Sequence, residues 1–493
     1  MWSLPSAQRA IIVAGCLAAA YTQLTTSPAT VEFARLVGAD EFHIGILGAL
    51  PTLMLFCQFL AAVLVNHLSY RRWLWFWSAL VHRLLLVPVA VGPWLWPEVP
   101  RSVWVWTLLG TTAANQALLH FGSPLWLSWM GDYLPHHGLS QFWGRRQYWM
   151  QWTAAASLFV AAAFRMWGGF DALTDFTVQI LAGTLCGVVD LFCFFRVTEP
   201  PVSRVPCPRL WDVVCEPFRH RDFSRFIGFT CYWHFAAMAG APFISLYLLA
   251  ELKMDLFRVL MLWTASWIGG ACWSHRLGRW SDQYGARPVL VFCVTFKSLN
   301  MIALLAAPSD PKLAFWLLIP VFMADQVLNA GILIANNGFM IKNSPSENRT
   351  MYIAASTAVA GMVGGATSIA AGWLLVQFAA VKFDLLGRTW GHFHLMFAIS
   401  MVLRWVACVW VQFLREPNSQ RTTHIFGELL DGMPWRMLTF PAGLYRNFTR
   451  QELELDEIAT TSPEVADAIA QVDAPQSGVP APNYSRRKLT GVR

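Results

Sequence analysis

The sequence predicts an all-α membrane protein in which twelve transmembrane helices form two similar halves. Of its 493 residues, 56% are hydrophobic and only 13% are charged, whereas a soluble domain carries about 25% charged residues. Twelve segments are long and apolar enough to cross a bilayer, and landmarks of the first six recur in the last six. A chain this apolar needs lipid around it, which excludes the soluble classes of protein. Its formal charge of +7 is modest and does not indicate that it binds nucleic acid.

The predicted spans each hold about 20 mostly apolar residues, the length that crosses the hydrocarbon core. Helices 1 to 12 are predicted at 8–30, 43–66, 72–94, 103–130, 147–166, 175–197, 224–249, 257–277, 288–307, 313–340, 350–378 and 392–414. The first span has no small-residue cleavage site behind a short apolar core, so it is expected to be a retained helix and not a signal peptide.

Basic residues in the loops predict the orientation. The loops after even-numbered helices hold about twice as many Lys and Arg residues as the loops after odd-numbered helices. This bias predicts a multi-pass protein of the cell (cytoplasmic or inner) membrane with both termini in the cytoplasm.

The longest internal loop separates six spans from six. We therefore expect a first half at 1–203, a cytoplasmic loop at 204–223, a second half at 224–415 and a cytoplasmic tail at 416–493. The tail opens with a mixed segment, 424–448, that could lie on the membrane surface. Its remainder is acidic, then rich in Pro, Ala and Ser, a composition that cannot bury a core and is expected to be partly disordered.

The two halves are related by a nearly constant offset. The runs Ala-Asn-Gln at 114–116 and Ala-Asp-Gln at 324–326 are 210 residues apart, Pro28 and Pro242 are 214 apart, and the loops 66–71 and 282–287 are 216 apart. Three anchors in the same order indicate a parallel repeat of six helices, the plan of transporters whose site lies between the halves.

The loop after helix 8 carries the strongest local motif, Gly-Arg-Trp-Ser-Asp-Gln-Tyr-Gly-Ala-Arg-Pro at 278–288. We expect Gly278 to allow close helix packing and Asp282 to accept hydrogen bonds from a helix N-terminus or an arginine. Gly285 would permit a tight turn, and Arg287 would supply the positive partner. In the first-half copy Asn66 replaces the acid, while Arg71 remains.

This motif resembles the signature loop of the major facilitator superfamily, G-x-x-x-D-x-x-G-x-R/K-R/P. The resemblance covers residues 8–415 and identifies no subfamily. It implies the fold of two pseudo-symmetric six-helix bundles. It also implies that helices 1, 2, 4, 5, 7, 8, 10 and 11 line a central cavity, while helices 3, 6, 9 and 12 lie outside.

Asp325, in the middle of helix 10, is the leading candidate for proton coupling or for contact with a cationic solute. Ionisable groups at membrane depth usually mark function, and the first-half counterpart of this acid is the neutral Asn115. The alternative is a structural acid held by Gln326 or by an arginine. The other polar candidates are Asn115, Gln116, His120, His234, Gln326, Asn336 and Asn337; a lone histidine on an apolar helix is more often structural.

Charged residues outside this set have structural expectations. Arg83 and Asp190 would pair with each other, and Glu32 would pair with Arg35. Three options stay open for Lys297 and Arg404, which could reach Asp325, snorkel to the interface or contact anionic lipid. Arg145, Arg146 and Arg349 are expected to be surface anchors, and the glycines at 361, 364, 365 and 372 in helix 11 would serve helix packing.

No nucleotide-binding loop, dinucleotide fingerprint, zinc spacing or nucleophile elbow occurs. We therefore expect no enzyme activity, no catalytic residue, no metal and no cofactor. The predicted function is secondary transport of a small solute by alternating access, with the lipid bilayer as surroundings and protons as the candidate coupling ion. Two alternatives stay open at this point, a transporter-like assembly factor for a membrane complex and a flippase for lipids or other amphiphiles.

Overall fold

The computed structural model describes residues 6–65, 70–134, 139–200, 216–343, 349–385 and 388–414, with Glu416 and Ser419. Within these ranges the helices group into the twelve predicted spans, and nine of them are long and apolar enough to cross a membrane by length and composition. Most of the expected loop at 204–223 and nearly all of the tail from 416 onward lie outside the described residues.

The first half contains helices 1 to 6. Helix 1 runs Ser6–Thr25 and Pro28–Leu36, helix 2 runs Glu41–Leu53, Met54–Phe56 and Cys57–Val65, helix 3 runs Arg72–Leu84 and Val87–Leu95, helix 4 runs Arg101–Tyr133, helix 5 runs Leu139–Gly168, and helix 6 runs Ala172–Cys193 and Phe194–Arg196.

The second half contains helices 7 to 12. Helix 7 runs Arg221–Met238, Ala241–Phe243 and Ile244–Ala250, helix 8 runs Leu256–Tyr284, helix 9 runs Ala286–Lys297 and Leu299–Leu305, helix 10 runs Pro311–Asn343, helix 11 runs Arg349–Gln377, and helix 12 runs His392–Val411. A short antiparallel hairpin that the sequence did not predict, β1 Phe383–Leu385 and β2 Arg388–Trp390, connects helices 11 and 12.

The first helix of each half is broken at the repeated proline. Pro28 begins the second segment of helix 1, where the Ser27 hydroxyl accepts a hydrogen bond from the backbone N–H of Ala29 at 3.2 Å. Pro242 lies in the short 3₁₀ turn within helix 7. Proline lacks the N–H that a helix interior requires, so it is tolerated at the start of a new segment.

Helices 5 and 8 extend beyond their predicted ends. Helix 5 begins at Leu139, so Arg145 and Arg146 lie within it and not in a loop; helix 8 ends at Tyr284, so Gly278 lies in its final turns. Hydropathy detects only the part of a helix that lies in hydrocarbon. The polar continuation of these two helices was therefore missed.

An even number of crossings places the start of helix 1 and the end of helix 12 on one side, here named the terminus face; the other side is the far face. Near the far face one hydrophobic cluster joins both halves, with Phe33 and Val89 of the first half and Tyr247 and Phe397 of the second half fully buried in it. The two halves thus share a core toward the far face.

Candidate functional site

A seam of glycines joins helix 2 to helix 11 near the far face. A Cβ added at Gly45 would lie 2.7 Å from the carbonyl oxygen of Ser368, and one added at Gly372 would lie 2.7 Å from the carbonyl oxygen of Glu41. The Ser368 hydroxyl donates a hydrogen bond to the carbonyl oxygen of Gly45 at 2.7 Å. The predicted packing role of the helix 11 glycines is confirmed, and it operates between the halves.

Helices 5 and 8 form the second far-face contact between the halves. Leu158 and Ala162 of helix 5 pack with Leu256 and Leu260 of helix 8, all at most 1% exposed. Small side chains on helix 5 allow the two backbones to approach closely.

Toward the terminus face each half keeps a hydrophobic cluster of its own. In the first half this cluster surrounds the fully buried Trp129, and in the second half it contains Phe223, Ile227 and Tyr352. In the described residues the halves therefore meet at the far face while their terminus-face cores stay separate.

Asp325 lies in a chain of polar groups inside the second half. The Lys297 ammonium donates to its Oδ1 at 2.6 Å, and the Asn300 amide donates to the same oxygen. Arg404 donates to Asn300 Oδ1 at 3.0 Å. Lys297 and Arg404 are 6% and 1% exposed, so of the three options for these cations, reaching inward is the one observed.

The first half contains a matching ion pair. Arg83 on helix 3 donates to Asp190 on helix 6 at 2.8 Å, which confirms the predicted pairing, and its Nε donates to the carbonyl oxygen of Gly187 at 3.3 Å. Its guanidinium also lies 4.5 Å from the ring centroid of Tyr21 and contacts the ring of His82.

The repeat places these two networks at equivalent positions, but one position that is acidic in the first half is basic in the second. Arg83 corresponds to Lys297 and Asp190 to Arg404, both at an offset of 214 (297 − 83 and 404 − 190). The first half therefore carries its acid on its sixth helix, whereas the second half carries its acid, Asp325, on its fourth.

Asn115 and Gln116 do not line the central cavity. They are 3% and 6% exposed, and Asn115 donates to the Tyr21 hydroxyl and to the carbonyl oxygen of His82, each at 2.7 Å. Gln116 donates to Asn115 Oδ1 at 3.4 Å. Their expected position at the cavity is corrected, because Asn115 satisfies buried groups of helices 1 and 3 and Gln116 bonds to Asn115.

The remaining polar candidates are distributed along three helices, 4, 7 and 10. A ring nitrogen of His120 lies 2.8 Å from the carbonyl oxygen of Pro51, and a ring nitrogen of His234 lies 2.8 Å from the carbonyl oxygen of Thr230. Both contacts fit structural histidines. Along helix 10, Gln326 accepts a hydrogen bond from Asn329, Asn336 has a buried Oδ1, and Asn337 is exposed.

The loop motif divides into a confirmed part and a corrected part. Gly285 has a φ of +101° at the end of helix 8, as its turn role requires. A Cβ at Gly278 would meet nothing within 4 Å, so its expected packing role is wrong. Arg287 donates to the carbonyl oxygen of Gln412 at 2.7 Å. The side chain of Asp282, and Asn66, lie outside the described residues.

A glutamate caps the third helix of each half, a feature that sequence reasoning missed. Glu199, after helix 6, accepts from the backbone N–H groups of Arg71 and Arg72 at 2.5 and 3.1 Å. Glu416, after helix 12, accepts from those of Ala286 and Arg287 at 3.2 and 2.7 Å. An anion at a helix N-terminus is stabilising. The Glu-Pro dipeptides at 199–200 and 416–417, offset by 217, were the available signal.

Glu199→Gln is expected to lower the melting temperature of the purified protein. The amide keeps one acceptor but loses the charge that favours the helix N-terminus, a loss of about 1 kcal/mol. The control is Glu98→Gln, which changes an exposed glutamate between helices 3 and 4. Equal melting temperatures for both variants would contradict the capping role.

No protein-family model and no curated protein matches the sequence. Solved structures do match. A mutant of the nucleoside transporter NupG superposes with a TM-score of 0.63 at 12% identity, covering 83% of this chain and 100% of that one. A D-xylose-proton symporter gives 0.59 at 14% identity over 84% and 99% of the two chains.

The xylose transporter XylE from E. coli, in a partially occluded inward open conformation, gives a TM-score of 0.60 at 13% identity over 84% of this chain and 98% of that one. A bacterial homologue of the human lysosomal transporter Spinster gives 0.55 at 12% identity, with 84% and 95% covered. These identities establish the fold alone. With its two six-helix halves, its repeated core and these neighbours, the chain has the fold of the major facilitator superfamily.

Proposed function

We propose that the chain is a secondary active transporter that moves a small solute by alternating access. The observation that supports this most directly is the arrangement of the halves, which share a core at the far face and keep separate cores at the terminus face. Such an arrangement corresponds to one end state of a rocking cycle about a central site. XylE, one of the structural neighbours, is likewise described as inward open.

Within this proposal the polypeptide divides at the loop 204–223, and the terminus face is the cytoplasmic side of the cell membrane. The basic residues of the loops after even-numbered helices support that orientation. The described state is then inward-facing, with access to the site from the cytoplasm.

We assign proton coupling to Asp325. Its side chain is 21% exposed, whereas Asp190, the paired acid of the first half, is 3% exposed. Protonation of Asp325 would release Lys297 from its ion pair and leave Lys297 and Arg404 without the acid of their network. Buried charge that has lost its partner is strongly destabilising, so a rearrangement would be favoured.

Counterflow into proteoliposomes tests the transport proposal. Vesicles loaded with one unlabelled solute are diluted into the same solute carrying a radiolabel, and uridine and D-xylose are tried first because two neighbours carry such solutes by name. A transporter of either solute should retain label well above protein-free vesicles. An untargeted metabolite comparison of wild-type and deletion cells extends the search.

The proposal fails if no solute exchanges and the deletion leaves every metabolite unchanged. Loss of a partner membrane complex in that strain would then indicate an assembly factor instead.

A further inference from the structure

Arg146 lies inside the first half and not at the membrane surface. It follows the start of helix 5 by seven residues, which places it about 10 Å along the helix. Its guanidinium carbon lies 4.9 Å from the ring centroid of Trp126 and 5.3 Å from that of Trp143. Two indole rings thus hold this cation, and its expected role as a surface anchor is corrected. Arg145, its neighbour, is exposed.

Helix 1 makes room for this guanidinium. A Cβ added at Gly15 would lie 2.7 Å from Arg146 Nε and 3.0 Å from its Cζ. Any larger residue at Gly15 would therefore displace the cation. Arg146 Nε is buried without a hydrogen-bond partner, and no carboxylate of the described residues lies within ion-pair distance of Arg146. A cation inside a membrane protein without a carboxylate to neutralise it is costly and is a candidate functional group.

Arg146 lines a cavity of about 300 Å³ between helices 1 and 4, with helices 3 and 6 behind it. The lining includes His82, Arg83, Leu119, Ser123, Trp126 and Asp190. Arg83 and Asp190 neutralise each other in their 2.8 Å ion pair. The positive charge of Arg146 is therefore unbalanced among the described groups around this cavity.

We propose that this cavity binds the carboxylate or phosphate group of a small organic anion, with Arg146 as its cationic partner and Trp126 against its apolar part. This inference rests on the proposed transport function and names the chemical class of the solute. Planar guanidinium donors suit both carboxylate and phosphate oxygens, and a cavity near 300 Å³ is at the small end of ligand sites. The indoles stabilise the cation while the cavity is empty.

Charge-selective labelling at Ser123 tests the anion site. Ser123→Cys is made in a protein lacking the ten native cysteines, and two methanethiosulfonate reagents of similar size are compared, one sulfonated and one trimethylammonium. For each thiol we divide the labelling rate of the sulfonated reagent by that of the trimethylammonium reagent. We expect this ratio to be about tenfold higher at Ser123→Cys than on a small free thiol in solution. Arg146→Gln should remove that excess, and Arg146→Lys should keep it.

Arg145→Gln is the matched control, because it removes an exposed arginine from the adjacent position of the same helix. Sodium benzoate should slow the labelling of Ser123→Cys more than benzyl alcohol, its neutral counterpart, and this protection should be absent in Arg146→Gln. The comparison of benzoate with benzyl alcohol on Ser123→Cys alone needs no arginine variant, so it tests the anion site even if Arg146→Gln fails to fold.

The same labelling in nanodiscs with and without phosphatidylglycerol separates a solute from a lipid headgroup. Protection by phosphatidylglycerol but not by benzoate or inorganic phosphate would overturn the solute assignment. Two results would overturn the proposed anion site. One is a rate ratio at Ser123→Cys equal to that of a free thiol, and the other is a loss of the excess ratio that is as large in Arg145→Gln as in Arg146→Gln. Labelling requires no turnover, so the anion site and the transport function are tested independently: transport is rejected only if no solute exchanges and the deletion leaves every metabolite unchanged.

Discussion

Replacing Gly372 with leucine is expected to hold the two halves apart at the far face and to reduce transport at least tenfold. Any Cβ at this position would lie 2.7 Å from the carbonyl oxygen of Glu41 and 3.1 Å from Gly45 Cα. Backbone atoms cannot rotate away as a flexible side chain can. The variant should therefore favour the state in which the far face is open, and it should remain folded because that state does not use the seam.

Distances between spin labels measure this shift without knowledge of the solute. Glu98 and Lys312 are exposed, and they lie in the far-face connections before helix 4 and at the start of helix 10. With both replaced by labelled cysteines, double electron–electron resonance should show a longer distance in Gly372→Leu than in the parent protein.

Gly110→Leu provides the control for the leucine side chain itself. Gly110 also lies in a membrane helix, but a Cβ there would meet nothing within 4 Å. Its distance distribution and transport should match those of the parent protein. If Gly372→Leu leaves the distance between the far-face labels unchanged, the glycine contact between helices 2 and 11 does not control the opening of the far face.

Asp325→Asn is expected to abolish the pH response of the conformational equilibrium, whereas Asp190→Asn should retain it. Asparagine resembles the protonated acid in shape and cannot release Lys297 by titration. Asp190 is more deeply buried and paired with Arg83 at 2.8 Å, so its loss should lower stability by about 3 kcal/mol without removing the proposed coupling acid, Asp325.

The same spin-label pair reports the outcome in buffers that range from mildly acidic to mildly alkaline. The parent protein should shift its distance distribution across this range, Asp325→Asn should not, and Asp190→Asn should shift as the parent does. A shift that survives in Asp325→Asn would assign proton coupling to another group. Melting temperatures of both variants separate loss of coupling from loss of fold.

Sequence alone located the twelve helices, the repeat and the turn at Gly285. These features follow from the average polarity of a segment and from local backbone geometry, which a chain carries wherever it folds. The structure confirmed them, apart from the polar ends of helices 5 and 8, where hydropathy no longer follows the helix. The position of Asp325 at membrane depth was also evident from its place in an apolar span.

Only the tertiary structure decided which groups these helices bring together. A membrane helix that is apolar on all sides has no strong amphipathic pattern to show which face turns inward. Sequence therefore could not distinguish Arg146 in its cavity from Arg145 at the surface, or show that Asn115 faces the interior of its own half. Lys297 and Arg404 reach the network of Asp325, and Glu199 reaches the N-terminus of helix 3, through contacts between residues 28 to 128 positions apart. Such contacts depend on how helices pack, and packing is a property of the folded chain as a whole.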